Sequence, residues 1–431
     1  MVHHGYSGEH RNSHLARRLL VFSLVVALFG TIPFVSSMGF IQPGSRASFL
    51  GFSGVLLYIS ARLSGASMSA PLRLFPPVLA IFLMWCAVTI AWSADREAST
   101  LRIIETALTL GYLQIAVFVV AGVCRSSRDV AAVVAQAVFF AAIAGLLLNT
   151  VLFGTPFHYW INPDVPERPR FTFGYLHPLA AADTLAIGLL ATVASNWRLM
   201  IKAFAFVIMF GLLALTDSTG ARFAVVALAG IWALFSGRHP LRLPVRASLL
   251  ALAAASLLLV MFLSPQFAGP LGEIVTPDAR QVTLTGRVQI WGAILDNGLA
   301  STPLGYGFDA GPVVIGPLMG RAYHAHNQYL NVLVELGGIG FIVFLAVIGA
   351  LLYRLIRFGT AFPIMLGVYT LLLGFNNPGM FTKLPNMLAF MLALLLPVLF
   401  PRLPRPTTPQ AAHFQSAPWY RRRDISDAPW P

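Results

Sequence analysis

The chain has 431 residues, of which 57% are hydrophobic and only 10% are charged. An ordinary soluble domain carries about 25% charged residues, so this composition excludes a soluble globular protein and indicates a membrane protein. The two cysteines, Cys86 and Cys124, lie in or at the ends of apolar segments. This placement argues against a disulfide framework and against a thiolate metal site.

Twelve apolar segments are predicted as membrane-spanning helices, which makes the fold class an all-α integral membrane protein. The first follows two arginines, as a signal peptide would, but it is longer than a signal core and no small-x-small cleavage site follows, so we predict a retained helix. The second and eleventh are short and rest partly on the need for alternating sides. The twelve segments are residues 18–40, 47–61, 75–92, 102–123, 130–153, 178–195, 200–216, 221–236, 247–264, 326–353, 361–376 and 385–401.

The distribution of lysine and arginine predicts which side of the membrane each loop faces. With a cytoplasmic N-terminus, 19 of the 29 basic residues fall on the inside. The net charge of +13 is then a consequence of topology and does not indicate nucleic-acid binding. The predicted organisation is a cytoplasmic segment 1–17, helices one to nine over 18–264, a large periplasmic loop with short helices over 265–325, helices ten to twelve over 326–401, and a disordered cytoplasmic tail 402–431 that is attracted to membrane lipids.

Two arginines on the predicted outer face could bind an anionic substrate. Arg222 lies at the outer end of the eighth helix, and Arg287 follows a glycine and shares a helical face with Trp291. A guanidinium group donates two parallel hydrogen bonds to a phosphate and stays charged. The alternatives are an arginine that snorkels to the interface for Arg222, and an amphipathic interfacial helix for Arg287 and Trp291.

A pair of histidines ends the outer loop. His326 stands at the predicted start of the tenth helix, where the positive helix end and nearby arginines favour the neutral imidazole that a general base requires. The alternative is a hydrogen-bonded interfacial histidine. His324 lies two residues earlier, but the sequence shows no obvious third ligand and the arginines would repel a cation, so we predict no metal. Glu335, two turns into the helix, is expected to pair with an arginine. Arg321, Asp309 and Arg170 are weaker candidates for the site, and for each the favoured alternative is solvated surface.

The order of motifs over residues 216–340 resembles that of the bacterial O-antigen ligase and O-antigen polymerase superfamily, GT-C-type membrane glycosyltransferases with twelve helices and one large periplasmic loop. The sequence departs from the family at Ala221, where serine usually precedes the first arginine. The residues that carry the resemblance are Arg222, Gly286-Arg287, Trp291, Pro303 to Phe308, His326-Asn327 and Glu335-Leu336-Gly337, with Trp92-Ser93-x-Asp95 farther upstream.

The resemblance implies an enzyme of the bacterial inner membrane whose active site faces the periplasm and needs no metal or other cofactor. The donor would be a glycan on undecaprenyl diphosphate, with His326 as general base and Arg222 and Arg287 binding the diphosphate. A ligase would use lipid A-core as acceptor and a polymerase another lipid-linked repeat unit; the sequence leaves both open and leans slightly to the ligase. Further substrate contacts are expected from Arg321, Asn327, Trp291, Tyr306, His324 and Arg170.

A transporter or flippase of lipid-linked glycans is the alternative from another class of protein. Such a protein would line a central path with charges at the middle of the membrane, often within repeats. In this sequence the ionisable residues cluster at one predicted outer face, and few fall in the middle of a helix. The pattern therefore favours the enzyme.

Overall fold

The computed structural model describes residues 6–30, 44–64, 76–162, 165–172, 178–216, 218–235, 285–319, 324–375, 379–381 and 384–400. The ninth predicted span, 247–264, the predicted site residue Arg321 and the tail 402–431 lie outside them. Within the described part the helices are α1 Tyr6–Gly30, α2 Gly44–Ser64, α3 Pro77–Val88, α4 Arg96–Val123, α5 Ser127–Phe153, α6 Pro178–Ala194, α7 Leu199–Leu215, α8 Thr219–Phe235, α9 Thr285–Asp296, α10 Gly311–Met319, α11 Gln328–Phe358, α12 Ala361–Gly374 and α13 Leu384–Leu399.

The helical character predicted from the sequence is confirmed in the described part. Each of the other eleven predicted spans coincides with a helix over the residues that the structure describes, and residues 31–40 of the first span lie outside them. Three segments are long and apolar enough to cross a membrane, Arg96–Val120, Ser127–Phe153 and Gln328–Phe358, and shorter apolar helices accompany them. The total of twelve crossings and the side of each loop remain predictions.

A short β-hairpin departs from the predicted all-α fold. Strands β1 His158–Asn162 and β2 Val165–Thr172 pair antiparallel between α5 and α6. The loop is rich in proline, which excludes a regular helix, and proline is compatible with a two-stranded ribbon that has only edge strands. The hairpin is fixed to α5 by Asn149, whose Nδ2 donates to the carbonyls of Pro156 (3.1 Å) and Thr172 (3.0 Å).

The centre of the helical core is formed by α6, α12 and α13, which are buried along most of their length. Among their few polar contacts, the Tyr369 hydroxyl lies 3.3 Å from the Asp183 carboxylate. By contrast, α7 leaves large apolar side chains exposed, including Leu199, Met200 and Val207. An apolar face of this kind is suited to contact with lipid or with another protein.

The helix α11 is broken at Gly337, where φ is 70° and ψ is −174°. The loop that joins the 3₁₀ turn Leu299–Ser301 to α10 fits into this break. Backbone groups left without partners by the break are paired with the loop, as buried N–H and C=O groups require. The four bonds run from Tyr306 to Val334 (3.0 Å), Gly307 to Glu335 (2.8 Å), Gly338 to Thr302 (3.1 Å) and Ile339 to Pro303 (3.1 Å), donor first.

Two glycines permit this close crossing of loop and helix. A Cβ atom on Gly305 would overlap the carbonyl of Glu335, and one on Gly337 would overlap the carbonyl of Pro303. Both residues also have positive φ, 72° and 70°, in the left-handed region that other residues rarely adopt. The motif glycines are therefore required by the geometry of the crossing.

We expect Gly337→Ala to lower the free energy of unfolding by about 1–3 kcal/mol, because the new methyl group adds backbone strain and displaces the loop. The adjacent Gly338→Ala is the matched control, since nothing lies within 4 Å of the position its Cβ would take. Thermal unfolding of both variants in detergent, followed by tryptophan fluorescence, measures the difference. Equal midpoints for the two variants would contradict the proposed crossing.

Candidate functional site

The helix α9 carries two predicted site residues one turn apart, Arg287 and Trp291. The helix packs into a small apolar core that joins it to α10, to the histidine turn 324–327 and to α11, and Trp291 is partly buried against this core. The Trp291 indole also donates a hydrogen bond of 2.8 Å to the carbonyl of Ala325. The helix and the histidine turn are thus held together. The core consists of Ile290, Ile294, Ile315, Ala325 and Val334.

The histidine turn is fixed at its centre and at its end. Ala325 is fully buried, and its N–H lies 3.5 Å from the side-chain oxygen of Asn331. Asn327 caps α11: its Oδ1 accepts from the N–H groups of Tyr329 (2.9 Å) and Leu330 (3.1 Å). Any substrate contact of Asn327 therefore falls to its amide nitrogen, because the oxygen already accepts two hydrogen bonds.

The sequence predicts His326 at the start of the helix, and the structure shows that this prediction is wrong. The helix begins at Gln328, and His326 precedes the Asn327 cap with a φ of 50°. The physical reason is that asparagine is a strong N-cap, whose extended backbone and accepting oxygen set the boundary. A positive φ in a residue other than glycine is uncommon and is often found at functional sites.

His324 lies on the other side of the turn, beside two carboxylates. Its nitrogen and the carboxylate oxygens of Asp309 and Glu335 all lie within 4.8 Å of one another. Glu335 is only 4% exposed and accepts a hydrogen bond of 3.3 Å from the N–H of Gly311. Asp309 forms an ion pair of 3.0 Å with Arg102 of α4, which therefore connects the cluster to a membrane helix.

Three expectations from the sequence are wrong at this cluster. Glu335 receives its hydrogen bonds from Gly311, Asn331 and the backbone of Asp309, where we had expected an arginine. Asp309 is largely buried in an ion pair, where we had expected solvated surface. The sequence shows no third metal ligand for His324, but the structure places Asp309 and Glu335 beside it. Packing of the loop on α11 brings these residues together, although they are distant in sequence.

The group of Asp309, His324 and Glu335 could hold a divalent cation by its composition, since imidazole and carboxylate are common ligands. However, the two carboxylates already have partners: Arg102 binds Asp309 at 3.0 Å, and backbone N–H groups bind Glu335. A bound cation would have to compete with the Arg102 guanidinium for Asp309. That the activity of this protein requires no metal ion therefore stays a prediction.

Two arginines, one on α9 and one on the hairpin, lie close enough for one charge to act on the other. Arg287 and Arg170 of β2 are both half-buried. Burial lowers the pKa of Arg287, and the positive charge of Arg170 lowers it further, because both disfavour the cationic form. Arginine nevertheless stays charged at neutral pH. A bound anion would relieve the repulsion, so this region is electrostatically suited to a phosphate.

The remaining predicted site residues are placed as follows. Arg222 is half-buried in the first turn of α8, with its N–H donating to the carbonyl of Ser218 (3.1 Å). It therefore comes from an element separate from α9 and the histidine turn. Tyr306 packs its ring against the small apolar core and uses its backbone in the loop crossing, which indicates a structural role.

The Trp92-Ser93-x-Asp95 run and its neighbours Thr89 and Ser99 contribute contacts that the sequence did not predict. The carbonyl of Tyr306 accepts from the N–H of Ala94 (2.8 Å), and that of Phe308 accepts from the hydroxyl of Ser99 (2.6 Å). The N–H of Phe308 donates to Thr89 (3.1 Å). This run therefore supports the loop from the α3–α4 side. The only sequence signal for it was its resemblance to the family motif.

The described part of the chain is a helical protein with long apolar helices, in which α9 with Arg287 is joined to the histidine turn and His324 of that turn lies beside two carboxylates. Residues 204–345 match the family model described as O-antigen ligase. This segment includes Arg222, Arg287, His326 and Gly337, and the match confirms the resemblance of the chain to the O-antigen ligase and polymerase superfamily. No individual curated protein matches the chain.

We expect Trp291→Phe to destabilise the protein by about 1–3 kcal/mol, because the buried carbonyl of Ala325 would lose its donor. Trp92→Phe provides the control, since the Trp92 indole nitrogen is buried without a hydrogen-bond partner among the described residues. Thermal unfolding of the two variants is the measurement. A Trp92→Phe variant as unstable as Trp291→Phe would show that the loss reflects ring size alone.

Proposed function

We propose that this protein is an O-antigen ligase-like glycosyltransferase of the bacterial inner membrane. It transfers a glycan from undecaprenyl diphosphate to a sugar of lipid A-core on the periplasmic face. The observation that carries the proposal is the half-buried Arg287, one turn from the Trp291 that is hydrogen-bonded to the histidine turn, within a segment that matches the O-antigen ligase family. The positive charge of Arg170 acts on the same guanidinium group.

The reaction is a single displacement at the anomeric carbon of the donor sugar. The acceptor hydroxyl oxygen forms the new glycosidic bond, and His326 takes its proton. The bond from the anomeric carbon to the diphosphate oxygen breaks, and the diphosphate leaves with the electron pair on its lipid carrier. A single displacement inverts the configuration at that carbon.

The arginines supply the charge stabilisation that the leaving group needs. Fixed cations aimed at developing negative charge are among the largest contributions to catalysis. Arg287 and Arg222 bind the departing diphosphate, and Arg170 adds to the field at Arg287. Because these cations perform the task that a metal has in other phosphate chemistry, the proposed reaction is metal-independent.

Arg287→Ala should lower the transfer rate by about 10²–10³-fold, the usual cost of losing one fixed stabilising donor. Arg287→Lys should recover little, because an ammonium group does not provide the bidentate fork. Transfer by purified protein in liposomes, with a lipid-linked glycan as donor, is the measurement. Arg198→Ala, at the exposed N-cap of α7, is the matched control. Full transfer by a folded Arg287→Ala variant would overturn the assignment.

Substitutions of His326 and His324 should have different effects on turnover and on stability. His326→Ala is expected to abolish transfer, because the proposed role of its imidazole is to take the proton of the acceptor hydroxyl. His324→Ala is expected to lower stability, because it removes a neighbour of the buried Glu335 and of Asp309. Measuring turnover and unfolding on both variants tests the distinction. Retained turnover in His326→Ala would remove the proposed base.

Chelation tests the metal-independent mechanism. Transfer should continue at an unchanged rate in excess EDTA, because the proposed cations belong to the chain. If EDTA abolished transfer and added Mg²⁺ or Mn²⁺ restored it, this mechanism would be contradicted. Asp309, His324 and Glu335 would then be assigned as the ligands of the metal ion. Asp309→Asn would then shift the metal concentration required.

The acceptor decides between the ligase and the polymerase. Deletion of a ligase should leave free lipid A-core together with long lipid-linked chains. Deletion of a polymerase should leave products with a single repeat unit. Glycan analysis of the deletion strain distinguishes the two, and the description of the matched family as O-antigen ligase favours the first.

A further inference from the structure

A groove lies between α1 and α5, in a part of the chain that precedes the matched segment 204–345. Its volume is about 730 Å³. This is within the range of small-molecule sites, roughly 300–1,000 Å³. The groove is bordered by residues 14–25 of α1 and 136–147 of α5, and none of its lining residues is acidic.

One end of the groove is basic. His14, Arg17 and Arg18 line it, and their spacing of three and four residues places them on one face of α1. The nearby carboxylate at the start of α5, Asp129, is hydrogen-bonded to the Ser126 hydroxyl (2.9 Å) and the Asn196 amide. An anionic group would therefore meet two guanidinium groups at this end.

The rest of the groove is apolar and open at its sides. Phe22, Phe140 and Leu147 border it and are 51%, 48% and 63% exposed. The lining stretch of α1 covers residues 14–25, about 16 Å at 1.5 Å per residue. The hydrocarbon core of a bilayer is roughly 30 Å thick, and the length of this stretch is close to half of that thickness, the depth of one leaflet. The lining thus changes from cationic to apolar over the length of a single lipid chain.

We propose that this groove binds an anionic phospholipid of the surrounding bilayer, with its phosphate at Arg17 and Arg18 and an acyl chain between Phe22 and Phe140. The predicted cytoplasmic N-terminus places the site in the inner leaflet, where basic residues attract anionic lipids. The site is separate from the proposed glycan site in position and in ligand. Its validity does not depend on the transfer reaction.

Photochemical labelling of the full-length protein tests the proposal. The probes are phosphatidylglycerol and phosphatidylcholine that carry a diazirine in one acyl chain, each in vesicles containing the protein. We expect phosphatidylglycerol to label peptides containing residues 14–25 and 136–147 several-fold more than phosphatidylcholine does. Arg17→Ala and Arg18→Ala should each lower this labelling about five-fold, from about 1 kcal/mol per basic residue.

Two further variants separate the head group from the chain. Ala144→Trp should fill the groove and lower labelling by both lipids, without a change of charge. Arg128→Ala removes an exposed arginine that does not line the groove and should leave labelling unchanged. Equal labelling by the two lipids, or labelling unchanged in the double variant of Arg17 and Arg18, would overturn the proposal. Displacement of the lipid by inorganic phosphate would also overturn it, because the acyl chain would then contribute nothing.

Discussion

The pairing of backbone groups at the break in α11 is the constraint on which the site depends. Once Gly337 interrupts the helix, the carbonyls of Val334 and Glu335 need new donors, and the loop around Tyr306 supplies them. An unpaired group in an apolar environment costs several kcal/mol, so the loop cannot leave without a large penalty. The residues that follow this crossing, including Asp309, are thereby positioned beside α11.

This arrangement sorts the charges of the site into two groups. The carboxylates of Asp309 and Glu335 are neutralised or hydrogen-bonded by Arg102 and by backbone N–H groups. Arg287 of α9 and Arg170 of the hairpin form the second group, in which the positive charge of Arg170 acts on the pKa of Arg287. A bound anion would weaken the repulsion between these two side chains, which agrees with the proposed diphosphate donor.

The sequence predicted the helices well because each is marked by its own apolar stretch, which is a local signal. The motif resemblance also singled out Arg287, Trp291 and the histidine turn, which the structure brings together, while their roles stay predictions. The meeting of Asp309, His324 and Glu335 was missed, because it arises from the loop crossing and no local pattern encodes it. Likewise the hairpin depends on Asn149 of α5, and the boundary before Gln328 depends on a single capping side chain.

The hydrogen bond between Trp291 and Ala325 also fixes the position of α9 relative to the histidine turn. Arg287 lies one turn before Trp291, and Ala325 is the residue before His326, so the cation and the imidazole belong to one body. A displacement of α9 on contact with a charged ligand would carry the histidine with it. Since a misplacement of about 1 Å can cost a hundredfold in rate, the Trp291 indole preserves the spacing on which the proposed roles of Arg287 and His326 depend.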